Sequence, residues 1–320
     1  MAGRTASSAL FATRHRGLRE QLRQLARAAD SVSTVLLLGE PGTGKDRLAR
    51  LLHERSARAR APFVRVDLAA VADDLFESEL FGHERGAFTG AVAGKQGLLE
   101  GAGEGTLYLD RVDALSLRAQ GKLLRVVEER LVRRVGGTRL RPLEARLVVS
   151  AGPDLPRRAR AGTFREDLFY RLAVVTVSLP TLAERREDLL PAARALAKAS
   201  GGPAAFTAAA RHVLLGHAWR GNFRELENVV RRAANEAAAA GDSAIDERHL
   251  KLAGPSDPEA LLHAASHARW TLRQLSDAYI ALVLDEAGGN VAEAARRLGV
   301  ARKTLYARRV DVRKGPLFER

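Results

Sequence analysis

The feature that most constrains the fold is Gly39-Glu40-Pro41-Gly42-Thr43-Gly44-Lys45-Asp46, which follows a short apolar run at 35–39 and opens a helical pattern at 46–59. This is the context of a P-loop. The glycines let backbone N–H groups close on phosphate oxygens, Lys45 adds a point charge, and the helix N-terminus supplies further positive potential. The Ser or Thr expected after the lysine is Asp46, one residue off the general motif. A glycine-rich turn without a ligand is the alternative reading. A chain with this loop is expected to build a parallel sheet behind it.

The rest of the first half supplies that sheet. Apolar runs rich in Val and Leu recur at 63–68, 106–110, 146–151 and 174–179, separated by helical patterns such as 118–129. Alternating strands and helices predict an α/β layer, a five-stranded parallel sheet covered on both faces. Gly105-Thr106-Leu107-Tyr108-Leu109-Asp110 is an apolar strand ending in a carboxylate, where Mg²⁺ would be held beside the phosphates. From residue 181 to 252 the strands stop and only helical patterns remain. Gly254-Pro255-Ser256-Asp257-Pro258 reads as a linker, and 269–312 as a small all-α unit. The expected division is 1–180, 181–252, 253–268 and 269–320.

Composition narrows the partners. With 52 Lys+Arg against 38 Asp+Glu the net charge is +14, which favours polyanions, DNA or RNA first. An arginine-rich genome is the other explanation of the same number. There is no cysteine, so disulfides and thiolate metal sites are excluded. No apolar run approaches the roughly 20 residues of a membrane helix, and no signal segment opens the chain. A cytoplasmic protein with no membrane partner is expected.

Two further segments carry a family resemblance. In Glu77-Ser78-Glu79-Leu80-Phe81-Gly82-His83-Glu84-Arg85-Gly86-Ala87-Phe88-Thr89-Gly90-Ala91, the stretch 86–91 is the complete loop GAFTGA. The chain thereby resembles the sigma-54 activators, bacterial enhancer-binding proteins built on an AAA+ domain, over residues 8–312. Gly86, Ala87, Gly90 and Ala91 allow a mobile loop, and Phe88 and Thr89 offer one apolar and one polar contact. A plain hairpin tip is the competing reading. The resemblance implies that this loop touches sigma-54 RNA polymerase, that the nucleotide is ATP with Mg²⁺ on Asp110, and that the ring is a hexamer.

It also implies roles for three arginines. Arg165 and Arg171, in Phe164-Arg165-Glu166-Asp167-Leu168-Phe169-Tyr170-Arg171, match the fingers that reach a neighbouring subunit's γ-phosphate; Arg224, in Trp219-Arg220-Gly221-Asn222-Phe223-Arg224, matches the lid's nucleotide sensor. Surface salt bridges are the alternative for all three. At the other end, Asn290 is a candidate N-cap for a helix at 291–298, Gly299 fits a sharp turn, and a second helix follows at 301–309. This is similar to the family's Fis-type helix-turn-helix and would present Arg302, Lys303, Thr304 and Arg308 to the major groove of an upstream DNA site. Ala301 stands where the family usually has Ser, and Arg309 where an apolar residue is common. A dimerisation unit without DNA contacts is the other reading. No sensing or receiver segment is legible ahead of the core, so control is expected from a partner, from expression or from the ring.

The chain departs from the family around the attacking water. The family's Asp-Glu is Asp110-Arg111, its second-strand Asn is Asp67, and its Thr-Asn sensor pair is Ala151-Gly152. A guanidinium stays protonated and cannot serve as a base. Asp113 is a conceivable substitute, with strand register against it. The complementary changes at 67 and 111 predict an ion pair in place of the Asn–Glu switch. Groups that hold nucleotide or act on a neighbour remain, whereas groups acting on the subunit's own water are gone. The expected function is a sigma-54-dependent regulator that binds ATP and DNA with hydrolysis weak or lost, able to complete an active paralogue's site in a mixed ring. A fully active ATPase activator is the alternative within the family, and a P-loop enzyme such as a small-molecule kinase the distant one.

Overall fold

The three most apolar strands of the chain end up in the middle of one sheet, because only there are both faces covered. The computed structural model describes residues 13–27, 33–252, 271–286 and 290–305, and these divide into two units, up to Leu250 and from Lys251. In chain order the strands are β1 (Val35–Leu38), β2 (Phe63–Asp67), β3 (Gly82–His83), β4 (Lys95–Gln96), β5 (Thr106–Asp110), β6 (Leu131–Arg133), β7 (Leu140–Pro142), β8 (Arg146–Ala151) and β9 (Val175–Ser178). The helices of the first unit are α1 (Arg16–Arg27), α2 (Lys45–Glu54), α3 (Asp73–Phe81), α4 (Leu98–Gly101), α5 (Leu117–Glu129), α6 (Leu155–Arg160), α7 (Glu166–Leu172), α8 (Leu189–Ala199), α9 (Ala208–Gly216) and α10 (Asn222–Ala239).

The main sheet has the order β2-β5-β8-β1-β9, with all four pairings parallel. Every residue of β1, β5 and β8 is buried, whereas the edge strands β2 and β9 are not buried throughout. Side-chain alternation divides the core into two faces. Leu36, Leu38, Leu107, Leu109, Leu147 and Val149 face one cluster with α3, α5 and α7, while Val35, Leu37, Tyr108 and Val148 face the other with α1 and α2. Connections from β1 and β8 leave toward opposite edges, which opens a crevice at the carboxyl ends of these strands. The P-loop begins there.

Local chemistry decides several details that periodicity misses. The helix expected to reach residue 59 stops at Glu54, because the Ser56 hydroxyl donates to the His53 carbonyl and accepts the Arg58 N–H. A serine side chain that bonds nearby backbone competes with continuation of the helix. Two small antiparallel sheets, β3–β4 and β6–β7, lie in segments whose sequence carries no strand pattern. The helical region after 181 also contains a parallel bridge between Phe206 and Ile245.

That helical region is joined to the P-loop by backbone and by two buried side chains. The Phe223 N–H donates to the Gly42 carbonyl at 2.9 Å. A Cβ on Gly42, whose φ is +80°, would sit 2.3 Å from the Gly221 carbonyl oxygen, so only glycine allows this approach. Asn222 is fully buried; its Oδ1 accepts the Leu182 N–H at 2.7 Å, and its Nδ2 donates to the Pro41 carbonyl at 3.1 Å and to Glu40 at 3.3 Å. Arg185, also buried, donates to the Thr43 carbonyl at 2.7 Å and lies over the Phe223 ring.

The second unit contains α11 (Leu272–Glu286) and α12 (Val291–Leu298), followed by a helical turn at 302–305. Ile280, Val283, Val291, Ala294, Ala295 and Leu305 form its core. Asn290 caps α12 by accepting the Ala292 and Glu293 N–H groups, and Gly299 ends it at φ +65°. The 254–258 segment and Arg308 lie outside the described residues.

Asn222 should be the weakest point of the lid attachment to remove. Asn222→Ala leaves the buried Leu182 N–H and the Pro41 carbonyl without this partner and puts alanine, which tolerates the left-handed region less well than asparagine, at φ +54°, so chemical denaturation should show a loss of about 2–4 kcal/mol. Asn222→Gly should recover about 1 kcal/mol of it, the left-handed backbone share. Equal stability of both variants and the parent would mean that the bridge does not hold the lid.

Candidate functional site

Lys45 begins α2 immediately after Gly44, whose φ is +104° and which gives the helix no side-chain cap. The first helical N–H groups are therefore directed into the loop, the arrangement that binds anions. The Lys45 ammonium donates to the Gly39 carbonyl and, at 3.0 Å, to the Glu40 carbonyl. Burial lowers its pKa, and the charges of Asp110, Asp113 and Asp46 only partly offset that effect. Arg224 stands exposed on the first turn of α10, its Cβ position 3.4 Å from that of a side chain on Gly42. The loop residues 39–46 and Arg224 are thus brought to one place by the lid contacts.

At the end of β5, Asp110 is nearly enclosed. Its Oδ2 accepts from Arg65 Nη2 at 2.7 Å, and its Oδ1 accepts from Ser150 Oγ and lies 3.1 Å from the Tyr108 hydroxyl. Burial alone would raise the Asp110 pKa, but the hydrogen bonds from Ser150, Arg65 and Tyr108 together hold it below the usual carboxylate range. Asp46 shares the same partners: Arg65 Nη2 at 2.8 Å on one oxygen and the Tyr108 hydroxyl at 2.8 Å on the other. Burial and the nearby Asp46 charge push the Tyr108 phenol up, so it remains a donor. The expected divalent cation therefore meets two carboxylates that already share one guanidinium, and this donor set does not fit it in this arrangement.

Arg65, Tyr108 and Ser150 are the residues that motif reading missed. One signal was present: Arg65 interrupts the apolar run of Phe63, Val64 and Val66 in β2, and a charge in the middle of a sheet strand needs a partner. Its register partner is Tyr108, which no spacing in the sequence reveals.

One residue further on, Arg111 takes up a left-handed backbone, φ 61°, and its N–H donates to Ser150 Oγ at 3.1 Å. Asp67 and Asp110 are paired in register. This places the Arg111 side chain over Asp67, with Nε on Oδ1 at 2.9 Å and Nη2 on Oδ2 at 2.5 Å. The two-point fork raises the Arg111 pKa, first through the hydrogen bond to Asp67. Both side chains are partly exposed, which screens the charge interaction; the fork geometry gives it direction. Asp113, the conceivable substitute base, is engaged through one oxygen: its Oδ2 accepts the Gly152 N–H at 3.2 Å and pairs with Arg158 at 3.5 Å, while its Oδ1 is buried with no hydrogen-bond partner among the described residues.

The remaining expected residues lie away from this crevice, on the first unit and on the second. Arg165 pairs with Asp167 at 2.7 Å and Arg171 with Glu128 at 2.9 Å, both exposed on the α5–α7 side. In the 86–91 loop, Gly86 (φ +79°) donates to the Ala91 carbonyl, Ala91 donates to the Phe88 carbonyl, and Gly90 has φ +100°. Phe88 is half exposed and rests edge-on against the His83 ring, 5.0 Å away; Thr89 is exposed beside it. In the second unit Arg302, Lys303 and Thr304 are exposed on one turn while Leu305 is buried beneath it.

Comparison with known proteins agrees with this layout. Residues 11–178 match the Sigma-54 interaction domain, 183–260 the AAA+ ATPase lid domain, and 271–309 the Bacterial regulatory protein, Fis family. The chain is 43% identical over 299 residues to the transcriptional regulatory protein ZraR of Klebsiella oxytoca, covering 91% of this chain and 66% of that protein. It is 39% identical over 297 residues to the Nif-specific regulatory protein of Azotobacter vinelandii, covering 91% and 56%. It thus spans less than two thirds of the length of these relatives. Among solved structures, NtrX from Brucella abortus in complex with ADP superimposes with a TM-score of 0.65 at 31% identity, covering 94% of this chain and 68% of that one. The RuvB branch migration motor of Thermotoga maritima, at 15% identity and TM-score 0.51, shares the fold. A P-loop sheet with a docked lid, the loop at 86–91 and a Fis-type helical unit together identify the chain as a member of the sigma-54 interaction domain family of AAA+ transcription regulators.

Proposed function

We propose that the chain is a sigma-54-dependent transcription regulator that binds ATP on the P-loop and DNA through its C-terminal helical unit, without hydrolysing the nucleotide efficiently. The observation that carries this reading is the Arg111–Asp67 fork beside an otherwise complete P-loop. Phosphates would lie on the loop N–H groups and Lys45, with Arg224 closing from the lid. The position of the family's water-polarising Glu holds Arg111, Asp67 is taken up by that arginine, and Asp113 is tied through Oδ2 to Gly152 and Arg158. A well-placed general base contributes typically about 10²–10⁴ in rate, and its loss leaves a nucleotide-bound state that persists.

The functional division follows 1–180 for nucleotide and sigma-54, 181–252 for the lid, 253–268 as linker and 269–320 for DNA. Arg302, Lys303 and Thr304, with Arg308 further on, would meet base edges and phosphates. Phe88 and Thr89 are exposed for sigma-54, and the protein would act in the cytoplasm from an upstream DNA site on sigma-54 RNA polymerase. Arg165 and Arg171 sit on the surface in ion pairs that a neighbouring subunit's phosphate could replace. That favours a hexameric ring in which this chain completes an active paralogue's site. The second reading, an active ATPase, draws on the same intact loop and fingers.

Paired binding and phosphate-release assays on the purified chain separate the two readings. A fluorescent ATP analogue should bind, and Lys45→Ala should abolish binding. Phosphate release should stay near background, and Arg111→Glu alone should leave it within about 10-fold of the parent, because Asp67 then faces a like charge rather than a switch partner. Robust turnover by Arg111→Glu with Asp67 untouched would overturn the fork as the cause of inactivity. In mixtures with a hydrolysing member of the family, phosphate release should rise, and Arg165→Ala or Arg171→Ala should each remove the rise, since an arginine finger is worth about 10³–10⁵. Absence of stimulation at every ratio would exclude the mixed ring.

A further inference from the structure

Five side chains converge between the P-loop helix and the end of β5 in a pattern that phosphate binding alone does not require. Arg65 Nη2 bridges Asp46 at 2.8 Å and Asp110 at 2.7 Å. The Tyr108 hydroxyl lies 2.8 Å from the second oxygen of Asp46 and 3.1 Å from that of Asp110, and Ser150 donates to the latter. All four carboxylate oxygens are therefore engaged. In P-loop proteins generally, the position after the lysine and the acid at the strand end are the two protein groups that face Mg²⁺. Here both face one guanidinium.

We propose that Arg65 takes the place of the divalent cation, so that this site binds the nucleoside triphosphate as the metal-free polyanion. The inference rests on the nucleotide-binding reading above and concerns how that site neutralises its ligand. Three properties support it. A permanently charged group already lies between the two acids, and a divalent cation brought there would be within a few ångströms of a like charge. Both acids share the single nitrogen Nη2, which leaves Nε and Nη1 of the same planar fork for phosphate oxygens. The Arg65 side chain is 46% exposed, so those N–H groups are within reach of a ligand in the crevice. Tyr108 and Ser150 brace the acids, so that the arginine is held by both carboxylates together.

The test is titration of the full chain with a fluorescent ATP analogue in excess Mg²⁺ and in EDTA. Parent affinity should differ less than about 3-fold between the two conditions, whereas Arg65→Ala should bind at least about 10-fold more weakly in EDTA than in Mg²⁺, one full decade being 1.4 kcal/mol. Electron paramagnetic resonance with Mn²⁺ supplies a second readout: no nucleotide-dependent Mn²⁺ binding by the parent, and its appearance in Arg65→Ala. Arg65→Lys, which keeps the charge, should behave as the parent, which separates loss of the cation from loss of folding. A parent that loses 10-fold or more in EDTA overturns the proposal, as does an Arg65→Ala protein as indifferent to Mg²⁺ as the parent. If the parent binds in neither condition, nucleotide binding itself fails and the proposal falls with it; binding in Mg²⁺ alone removes only the proposal.

Discussion

The Phe223 N–H to Gly42 carbonyl bond, with Asn222 buried beside it, holds the lid against the P-loop, and everything assigned to the nucleotide site depends on that closure. Without it, Arg224 would have no fixed relation to Lys45, and the crevice at the carboxyl end of β1 would be walled on one side only. The contact is backbone on backbone, which is why Gly42 cannot carry a Cβ and why Asn222 accepts a left-handed conformation. Asn is one of the few residues with a side chain that visits this region at small cost. The same residue then satisfies Leu182 and Pro41, so one conformational exception serves both the turn and the interface.

A second constraint lies in the sheet itself. Parallel pairing of β2 with β5 sets Asp67 opposite Asp110 and Arg65 opposite Tyr108. Two acids at adjacent strand ends would repel across the register, and each is met by an arginine: Arg111 on Asp67, Arg65 on Asp110 and Asp46. The two arginines thereby offset part of the charge of these three carboxylates. In a working hydrolase of this architecture some of that charge is expected to come from metal, and a carboxylate is kept free for water. On the proposed reading the arginines change both at once, Arg111 through Asp67 and Arg65 through Asp46 and Asp110.

The helical second unit follows simpler rules. Asn290 and Gly299 start and stop α12 by capping and by a left-handed turn, and the buried stripe of Val291, Ala294 and Ala295 meets Ile280 and Val283. Each of these is a local choice written within a few residues. Leu305 buries the following turn, leaving Arg302, Lys303 and Thr304 outward.

Local chemistry was legible for the same reason across the chain: a P-loop, a GAFTGA loop, a capped helix and a run of apolar strands are short-range patterns, read by spacing alone. The sequence by itself determined the α/β class, the position of the phosphate loop, the family and the pairing of complementary charges at 67 and 111. It did not determine where α2 ends, since that rests on a side-chain bond from Ser56 to His53, nor the short β3–β4 and β6–β7 pairs, which carry no periodic signal. Above all, only the tertiary structure decided what Arg65 does. Its partners Asp46 and Asp110 are 19 and 45 residues away along the chain, and strand order rather than spacing brings them together. A charge inside an apolar strand announces that it needs a partner; the fold alone says which one.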